Sequence, residues 1–263
     1  MGRIDGKTIW ITGASSGIGE ALTYQLDKKK CKLVISSRKE IELQRVKANC
    51  THQENIEIIS LDLSDLNDMP EKATLAFSAF GQMDILINNA GISQRSEIIN
   101  TDISVYKQLM DINYLGTVAL SKAILPYFMK AKNGHFVTVS SLMGKFAGPQ
   151  RSGYCGSKHA LHGFFDVLRM EHEKDGISVT MICPGYVQTN IDKNALTADG
   201  SPQEKHDIEN QNGLPVAVFA RKMIRAIERQ KYEAYMGKKE VMGIYLKRFF
   251  PKLLHRIVVK STE

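Results

Sequence analysis

The sequence is poor in the features that mark secreted, metal-binding and membrane-spanning proteins. Its 263 residues include four cysteines, Cys31, Cys50, Cys155 and Cys183, with no CxxC pair and no histidine cluster beside them. Disulfide frameworks and zinc sites need closely spaced ligands, so we expect reduced thiols and no metal. The first residues show no cationic leader before a long apolar run, and no stretch reaches the roughly 18 apolar residues of a membrane span. We therefore expect a cytoplasmic protein.

Acidic residues are scarce at the C-terminal end of the chain. The net charge is +7, and the residues from Lys238 onward contain seven Lys or Arg against two acids. The rest of the chain is nearly neutral, which argues against a nucleic-acid partner. Within the basic segment 238–263, residues 244–260 alternate cations with Leu, Ile, Val and Phe. That composition suits a peripheral contact with an anionic membrane, a subunit interface, or a helix packed on its own domain.

Short β-rich runs alternate with longer helical patterns. The predicted strands are 7–12, 32–36, 56–61, 84–87, 135–140, 177–183 and a last short one at 232–237. The predicted helices are 17–29, 39–50, 68–80, 103–131 and 153–174. Several strands are apolar throughout, as is typical of parallel strands covered on both faces. The pattern predicts an α/β fold: a doubly wound parallel sheet in a single domain over residues 1–263, with a C-terminal helical extension.

The polar stretch 190–213 interrupts this alternation directly after the sixth predicted strand. It has no clear period, and a long irregular insert in a compact domain is usually a functional lid or a mobile segment. We expect it to fold over the substrate as a lid. Residues 94–97, 142–151 and 186–213 should line the pocket beneath it.

A glycine-rich turn follows the first predicted strand. In TGASSGIG, residues 12–19, Gly13 permits the tight turn, Gly17 lets the backbone approach a phosphate, and Gly19 allows the helix to pack closely on the strand. The helix that begins here offers free N–H groups and a positive dipole end to a pyrophosphate. The turn predicts a dinucleotide site, with contacts from Gly13, Ser15, Ser16, Gly17, Ile18 and Gly19.

The end of the second predicted strand indicates which dinucleotide binds. An acidic residue there would hold the ribose hydroxyls of NAD. Here Ser37 takes that position and Arg38 follows it. A small hydroxyl and a guanidinium suit a 2′-phosphate, because Arg binds phosphate oxygens in a fork geometry. We therefore expect NADP(H) rather than NAD(H), although Arg38 and Lys39 also suit solvated charges at a helix start.

With these features the chain resembles the short-chain dehydrogenases/reductases in their compact single-domain form. The matching segments occur in the family's order: TGASSGIG, LDLSD (61–65), NNAG (88–91), Asn113 in DINYLGTV, VSS (139–141), YCGSK (154–158) and PGYVQT (184–189). They cover most of residues 7–190. The resemblance implies a seven-stranded Rossmann-type parallel sheet. It also implies a homo-oligomer, dimer or tetramer, that shares the helices at 103–131 and 153–174.

The resemblance also implies further cofactor contacts. Asp62 and Leu63 would border the adenine ring. Asn89 and Ala90 would lie near the ribose, together with Gly91 of the same NNAG segment. The segment 184–189 would close over the nicotinamide, with Thr189 on its carboxamide. Its expected contacts are Pro184, Gly185, Val187 and Thr189.

Tyr154 and Lys158 are spaced i and i+4, so they lie on one face of a helix. An ammonium near a phenol favours the phenolate, so we expect Lys158 to lower the pKa of Tyr154 from its usual value near ~10. Tyr154 is then the general acid of carbonyl reduction and the base of the reverse reaction. By the resemblance, Ser141 would bind the substrate carbonyl, Lys158 would also hold the nicotinamide ribose, and Asn113 would anchor a water that connects Lys158 to solvent.

These residues predict an NADP(H)-dependent oxidoreductase that acts on a carbonyl or an alcohol. The segment LMGKFAGP, residues 142–149, is moderately apolar. It favours a medium-sized hydrophobic ketone or secondary alcohol, lipid- or steroid-like. A 3-oxoacyl-thioester reductase is the alternative within this chemistry. A non-catalytic NADP-binding sensor or scaffold is the alternative of another class.

Overall fold

A computed structural model describes residues 4–260 of the chain. Its strands are β1 (Thr8–Thr12), β2 (Lys32–Ser37), β3 (Ile56–Ser60), β4 (Ile85–Asn88), β5 (Gly134–Val139), β6 (Ile177–Pro184) and β7 (Glu233–Met236). Its α-helices are α1 (Gly17–Asp27), α2 (Glu40–Ala48), α3 (Met69–Phe80), α4 (Ile103–Met110), α5 (Thr117–Ala131), α6 (Ser152–His172), α7 (Ile208–Gln211), α8 (Val216–Glu228), α9 (Met242–Phe249) and α10 (Pro251–Lys260). These bounds follow the predicted strands closely.

The seven strands form one parallel sheet in the order β3-β2-β1-β4-β5-β6-β7. This arrangement confirms the predicted doubly wound Rossmann-type fold. Strand order reverses between β1 and β4, which are neighbours in the sheet but not in the chain. Ligands of such sheets bind in the crevice outside the carboxyl ends of the strands at this switch point. The glycine turn after β1 and the NNAG segment after β4 both lie there.

Helices cover both faces of the sheet and bury its apolar strands. One core lies under α1 and α8, where Leu22 and Phe219 are fully buried. The other lies under α5 and α6, where Phe128 and Phe165 pack around Phe136 of β5. Every residue of β1 and β5 is buried, as the apolar runs of these strands predict. The sheet is therefore a firm base for the residues that follow its strands.

The predicted helix 103–131 differs from a single regular α-helix. A π-helical turn, Asp111–Gly116, separates α4 from α5. Within it Asn113 is buried and points back to the loop after β4, and Gly116 lies so close to Leu63 that an added Cβ would collide with its carbonyl. These contacts come from distant parts of the chain, so the hydrophobic period of the helix does not reveal the irregular turn. Such turns occur often at functional sites.

The stretch 190–213 is packed onto the loop that follows β4. Leu196 pairs with Gln94 and Pro202 through isolated bridges, and its carbonyl accepts a hydrogen bond from Arg95 N at 2.8 Å. Asp192 and Ala195 are almost completely buried. Long-range backbone pairing therefore orders a segment whose own sequence has no period.

The C-terminal extension forms two helices, α9 and α10, next to the edge of the sheet. Leu254 is buried in a cluster with Leu142, Phe146 and Cys183. The outer surface of the pair exposes Phe249 and other apolar side chains. Within residues 4–260, no helix is long and apolar enough to cross a bilayer.

Candidate active site

The glycine turn after β1 has the geometry of a phosphate cradle. Gly13 and Gly17 adopt left-handed backbone angles, with φ of +66° and +59°, which glycine tolerates far better than other residues. A Cβ on Gly13 would lie 2.8 Å from Ala90 Cα, so no side chain fits there. Ser16 is the N-cap of α1, and the first N–H groups of a helix have no intrahelical partners. The turn therefore fits a dinucleotide pyrophosphate.

The residues expected to select the dinucleotide lie at the ends of β2 and β3. Arg38 is exposed, and Ser37 Oγ accepts a hydrogen bond from Lys39 N at 3.1 Å. Burial would raise the pKa of Asp62, but hydrogen bonds from Ser64 and the nearby charge of Arg38 outweigh it and hold that pKa below its usual range. A guanidinium thus lies near the residue expected at the adenine.

The NNAG segment is tied to the glycine turn by Thr12. Thr12 Oγ1 accepts hydrogen bonds from the N–H groups of Asn89 and Ala90 at 3.0 and 3.1 Å. The side chain of Asn89 donates to the carbonyls of Thr12 and Gly13 at 2.9 and 3.2 Å. The bonds of Asn89 therefore brace the cradle. The bracing role of Thr12 carried no signal in the sequence.

Ser141, Tyr154 and Lys158 come together at the carboxyl edge of the sheet. Ser141 follows β5, and its Oγ accepts a hydrogen bond from Met143 N at 3.0 Å. Tyr154 lies in the first turn of α6, and Lys158 lies one turn later with Nζ 5.8 Å from the centre of the Tyr154 ring. Lys158 Nζ donates to Val139 O at 2.9 Å. The end of β5 thus holds both the serine and the lysine.

Burial sets the protonation of this group. Burial raises the pKa of the Tyr154 phenol, and a hydrogen bond with Ser141 opposes that rise. It lowers the pKa of Lys158 to about 8. The expectation that Lys158 lowers the pKa of Tyr154 is therefore wrong for the protein alone, because burial outweighs the effect of nearby charges. A phenol protonated at neutral pH suits a proton donor, and an amine with a pKa of about 8 suits proton exchange.

Asn113 lies beside these residues in the π-helical turn. Its Oδ1 accepts a hydrogen bond from Ile92 N at 2.8 Å, and its Nδ2 donates to Ile92 O at 2.9 Å and to Ser157 Oγ at 3.0 Å. A Cβ on Gly91 would lie 3.0 Å from Asn113 Oδ1 and 3.3 Å from Lys158 Nζ. The side chain joins the loop after β4 to α6. Its role in a water relay stays a prediction.

Gln94 is a site residue whose role the sequence did not reveal. Its side chain is fully buried, and its Oε1 accepts hydrogen bonds from the N–H groups of Gly153 and Tyr154 at 2.8 and 3.4 Å. Two of the first N–H groups of α6 are thereby satisfied by an amide from another loop. Gln94 fixes the start of the helix that carries Tyr154. An isolated Gln in a loop gives no sequence signal for this task.

The segment 184–189 runs from the end of β6 back to the glycine turn. Gly185 N donates to Met236 O at 2.8 Å, and Val187 forms an isolated bridge with Leu214. A Cβ on Gly17 would lie 3.2 Å from Thr189 Cγ2. The segment therefore connects the edge of the sheet to the glycine turn.

A cavity of about 600 Å³ opens over Ser141 and Tyr154. Its apolar lining includes Leu142, Met143, Phe146, Leu246, Leu254 and Ile257. On its polar side Arg95 Nε donates to Asp207 Oδ2 at 2.8 Å, and Arg151 lies 3.5 Å from the same oxygen. Asp207 belongs to the stretch 190–213, so this ion pair fastens the predicted lid to the cavity wall.

Comparison with known proteins identifies the family. Residues 7–200 match the family model described as short chain dehydrogenase. The chain belongs to the short-chain dehydrogenase/reductase family. Members of this oxidoreductase family that resemble it include "Dehydrogenase/reductase SDR family protein 7-like" of Anopheles gambiae, which is 40% identical over 99% of this chain and 84% of the mosquito protein. "Dehydrogenase/reductase SDR family member 7" of Homo sapiens is 39% identical over 92% of this chain and 74% of its own length.

Solved short-chain dehydrogenase/reductase structures share the fold. A member from Burkholderia phymatum in complex with NAD superimposes with a TM-score of 0.83 at 22% identity, over 96% of each chain. An alcohol dehydrogenase from Thermococcus sibiricus complexed with 5-hydroxy-NADP gives a TM-score of 0.75 at 20% identity, over 89% of this chain and 97% of that one. At these identities the likeness concerns the fold alone.

Proposed function

We propose that the protein is an NADP(H)-dependent oxidoreductase that transfers a hydride between the nicotinamide and a carbonyl or alcohol. The observation that carries the proposal is that Ser141 and Tyr154 line one cavity, while Lys158 lies one helical turn after Tyr154 and close to Gly91 of the NNAG segment. When bound, the cofactor supplies or accepts the hydride. Ser141 donates a hydrogen bond to the substrate carbonyl, Tyr154 donates a proton to the carbonyl oxygen as the carbonyl carbon accepts the hydride, and Lys158 exchanges protons near neutral pH.

The preference for NADP(H) rests on the end of β2. The structural neighbours of the same fold carry either NAD or an NADP derivative, so the choice depends on this chain's own residues. Ser37 leaves room where an acid would repel a 2′-phosphate, and the exposed Arg38 brings a guanidinium to it. The Lys39 backbone N–H is bonded to Ser37 Oγ, so the cations available to a phosphate here are the exposed side chains of Arg38 and Lys39.

A panel of ketones and alcohols with NADPH, NADP⁺, NADH and NAD⁺ tests both points by the absorbance of the reduced cofactor. We expect turnover with NADPH. Replacing Arg38→Ser removes a charge-assisted bond of roughly 1.5–3 kcal/mol, so kcat/KM for NADPH should fall by about 10- to 150-fold, with kcat/KM for NADH unchanged. Lys47→Ser, in the last turn of α2, is the control and should change neither. A clear NADH preference of the wild type would overturn the assignment.

The cavity favours a medium-sized hydrophobic substrate. A volume of about 600 Å³ with Leu142, Phe146 and Leu254 in its wall suits a lipid- or steroid-like ketone or secondary alcohol. A 3-oxoacyl-thioester reductase would need cations for an anionic carrier group. The cavity wall contains Arg95, Arg151 and Lys239, and the first two both pair with Asp207. We therefore place the hydrophobic ketone first, and the panel includes 3-oxoacyl thioesters to decide.

A non-catalytic dinucleotide sensor is the alternative from another class. It would need neither Ser141 nor Tyr154, and both side chains face the cavity. NADPH binding without turnover of any panel member would favour the sensor over the enzyme.

The C-terminal helices support a second element of the proposal, contact with an anionic lipid surface. Residues 242–260 contain five Lys or Arg and no Asp or Glu. None of these five cations forms an ion pair within the described residues 4–260. Lys252, Arg256 and Lys260 lie at i, i+4 and i+8 along one side of α10, so their charges act on one surface.

Exposed apolar side chains lie next to this cationic row. Phe249 and Phe250 are 68% and 62% exposed, and Leu253 and Ile257 are about half exposed. Leu254, in contrast, is buried on the inner face. Ile257 is both exposed and part of the cavity wall. An apolar substrate dissolved in a lipid surface would therefore meet the cavity at the point where the helix pair touches that surface.

Vesicle co-sedimentation tests the lipid contact without any need for turnover. We expect the protein to bind vesicles of phosphatidylcholine with phosphatidylserine and not pure phosphatidylcholine. At roughly 1 kcal/mol for each cation, Lys252→Glu with Arg256→Glu should lower the partition coefficient by at least about 30-fold. Lys28→Glu with Lys30→Glu changes the net charge equally after α1 and should leave binding intact. Equal loss in both variants, or self-association in place of vesicle binding, overturns the lipid contact.

A homo-oligomer that shares α4–α6 stays a proposal. On α6, Met170 is 71% exposed and Val167 is 47% exposed. Apolar side chains at these positions suit a helix–helix contact between subunits. Sedimentation velocity of the wild type and Met170→Lys tests it, because the charge should shift the distribution towards monomers. A wild type that sediments as a monomer contradicts it.

A further inference from the structure

A chain of buried polar groups lies directly behind Ser141. Ser140, its neighbour in sequence, is 2% exposed and donates a hydrogen bond from Oγ to Lys158 O at 3.1 Å. The same Oγ lies 3.0 Å from Nε2 of His162, which is 7% exposed. Nδ1 of His162 lies 3.2 Å from Glu233 Oε1, in a bent contact outside hydrogen-bond geometry. Three elements, β5, α6 and β7, thus meet at one imidazole.

Glu233 is held from several sides. It contacts His162 and is hydrogen-bonded to Lys145, which follows Ser141 by four residues, and to the phenol of Tyr235. Burial would raise its pKa, but the interactions with His162, Lys145 and Tyr235 outweigh burial and lower it to about 2. Glu233 is therefore a fixed anion at neutral pH. Cys183 Sγ, 3.8 Å from His162 Nε2, completes the surroundings of the ring.

The protons available to Ser140 and His162 decide which of the two donates the hydrogen bond between them. A serine hydroxyl has one proton, and Ser140 gives it to the carbonyl of Lys158. The contact between Ser140 Oγ and His162 Nε2 is then a hydrogen bond only if His162 donates the proton. The imidazole therefore holds Ser140 in the orientation that bonds to the backbone of Lys158.

The likeness to a Ser-His-Glu nucleophile triad does not extend to hydrolysis. Ser140 is buried, and its proton is committed to a backbone carbonyl. A Cβ on Gly144 would lie 2.9 Å from Lys158 O and 3.2 Å from His162 Cδ2, so no substrate atom fits between these groups. The geometry is that of a brace.

We infer that His162 is a positioning residue: it locks Ser140 against the Lys158 carbonyl and so fixes Ser141 relative to Tyr154 and Lys158. The inference rests on the proposed oxidoreductase function. Ser141 adjoins Ser140 in the chain, and Tyr154 lies one helical turn before Lys158. Loss of the brace lets the end of β5 move relative to α6. Displacement of about 1 Å at reacting groups can cost roughly 10²-fold in rate.

His162→Leu tests the brace, and His135→Leu is the matched control. His135 is a second buried histidine, at the start of β5, and its Nε2 lies 2.8 Å from Thr180 Oγ1. We expect His162→Leu to lower kcat by about 10²-fold with an unchanged Kd for NADPH. His162→Gln, which keeps an N–H donor, should recover most of the loss. His135→Leu should lower the melting temperature and leave kcat at the wild-type value.

The inference is overturned if His162→Leu destabilises the protein as His135→Leu does but keeps wild-type kcat. If His162→Leu fails to fold, Ser140→Ala takes its place in the experiment. A wild-type kcat in Ser140→Ala would also overturn the inference. A readout independent of turnover is the ¹³C shift of the Tyr154 ring, assigned by its loss in Tyr154→Phe. We expect it to move in His162→Leu and not in His135→Leu. A wild type without turnover but with this shift pattern contradicts the proposed function and leaves the brace standing.

Discussion

The cluster of Ser141, Tyr154 and Lys158 and the C-terminal helix pair place their cations in opposite environments. Lys158 is 4% exposed, and burial lowers its pKa to about 8. On α10, Lys252 and Arg256 are exposed and surrounded by further cations. A buried ammonium loses its hydration, so its pKa falls towards neutral pH, and such a group suits proton transfer. Several exposed cations together attract an oppositely charged surface.

The largest expected effect concerns the proton donor at the buried centre. Tyr154→Phe removes the hydroxyl but keeps the ring in its place. Since general acid–base catalysis contributes about 10²- to 10⁴-fold, kcat should fall by that factor while NADPH still binds. Steady-state kinetics and NADPH fluorescence titration measure the two quantities. A variant that binds NADPH and reduces ketones as fast as the wild type would show that the mechanism is wrong.

The second effect concerns the cost of burying Lys158. Its pKa of about 8 in the folded protein lies below the 10.5 of a free lysine, so the unfolded chain holds the proton more tightly. The cost to the stability of the folded state is therefore fully present below about pH 8, and it disappears as the pH rises from about 8 to 10.5. Lys158→Met should raise the free energy of unfolding at pH 7 by at most about 3 kcal/mol. The gain should shrink between pH 8 and 10.5 in urea titrations. If the difference in free energy of unfolding between Lys158→Met and the wild type stays constant with pH, this account is wrong.

A third, smaller effect tests the bracing of α6. Gln94→Leu leaves the N–H groups of Gly153 and Tyr154 buried without their acceptor, which costs about 1–3 kcal/mol. Gln94→Glu keeps an oxygen at that position and should cost less. Urea denaturation of both variants gives the two values. Equal losses would mean that the acceptor at the start of α6 is not what matters.

The smallest effect is expected at the exposed cations. Lys252→Glu with Arg256→Glu should change the free energy of unfolding by no more than about 0.5 kcal/mol per substitution, because exposed charges contribute little to folding. Differential scanning calorimetry measures it. A large loss of stability would mean that the C-terminal helices depend on these cations for packing, and the contrast with Lys158 would then fail.

Much of the fold could be predicted because it depends on local patterns. The apolar runs of β1 and β5, the glycines at 13, 17 and 19 and the alternation with helical segments each act within a few residues of the chain. The order of motifs then predicted the sheet. The sequence predicts a single helix over 103–131. Its π-helical turn arises from contacts of Asn113 and Gly116 with Ile92 and Leu63, far away in sequence.

The pKa of Tyr154 could not be predicted in the same way. The i, i+4 spacing with Lys158 shows that the two side chains share a face of α6, and the structure places them so. Spacing says nothing of how much water the fold removes from them. Burial decides the direction of both pKa values, and burial depends on β5, α6 and the packed stretch 190–213 together.

By itself the sequence determined the strands, the phosphate turn and which residue types could do chemistry, because those depend on neighbours in the chain. Only the tertiary structure decided what holds them: Gln94 at the start of α6, Asn113 between two loops, and His162 behind Ser140. Each is a single polar residue whose partner lies at least 20 positions away. Its hydrogen bonds are strong because the packed core excludes water, and that exclusion exists only once the chain has folded.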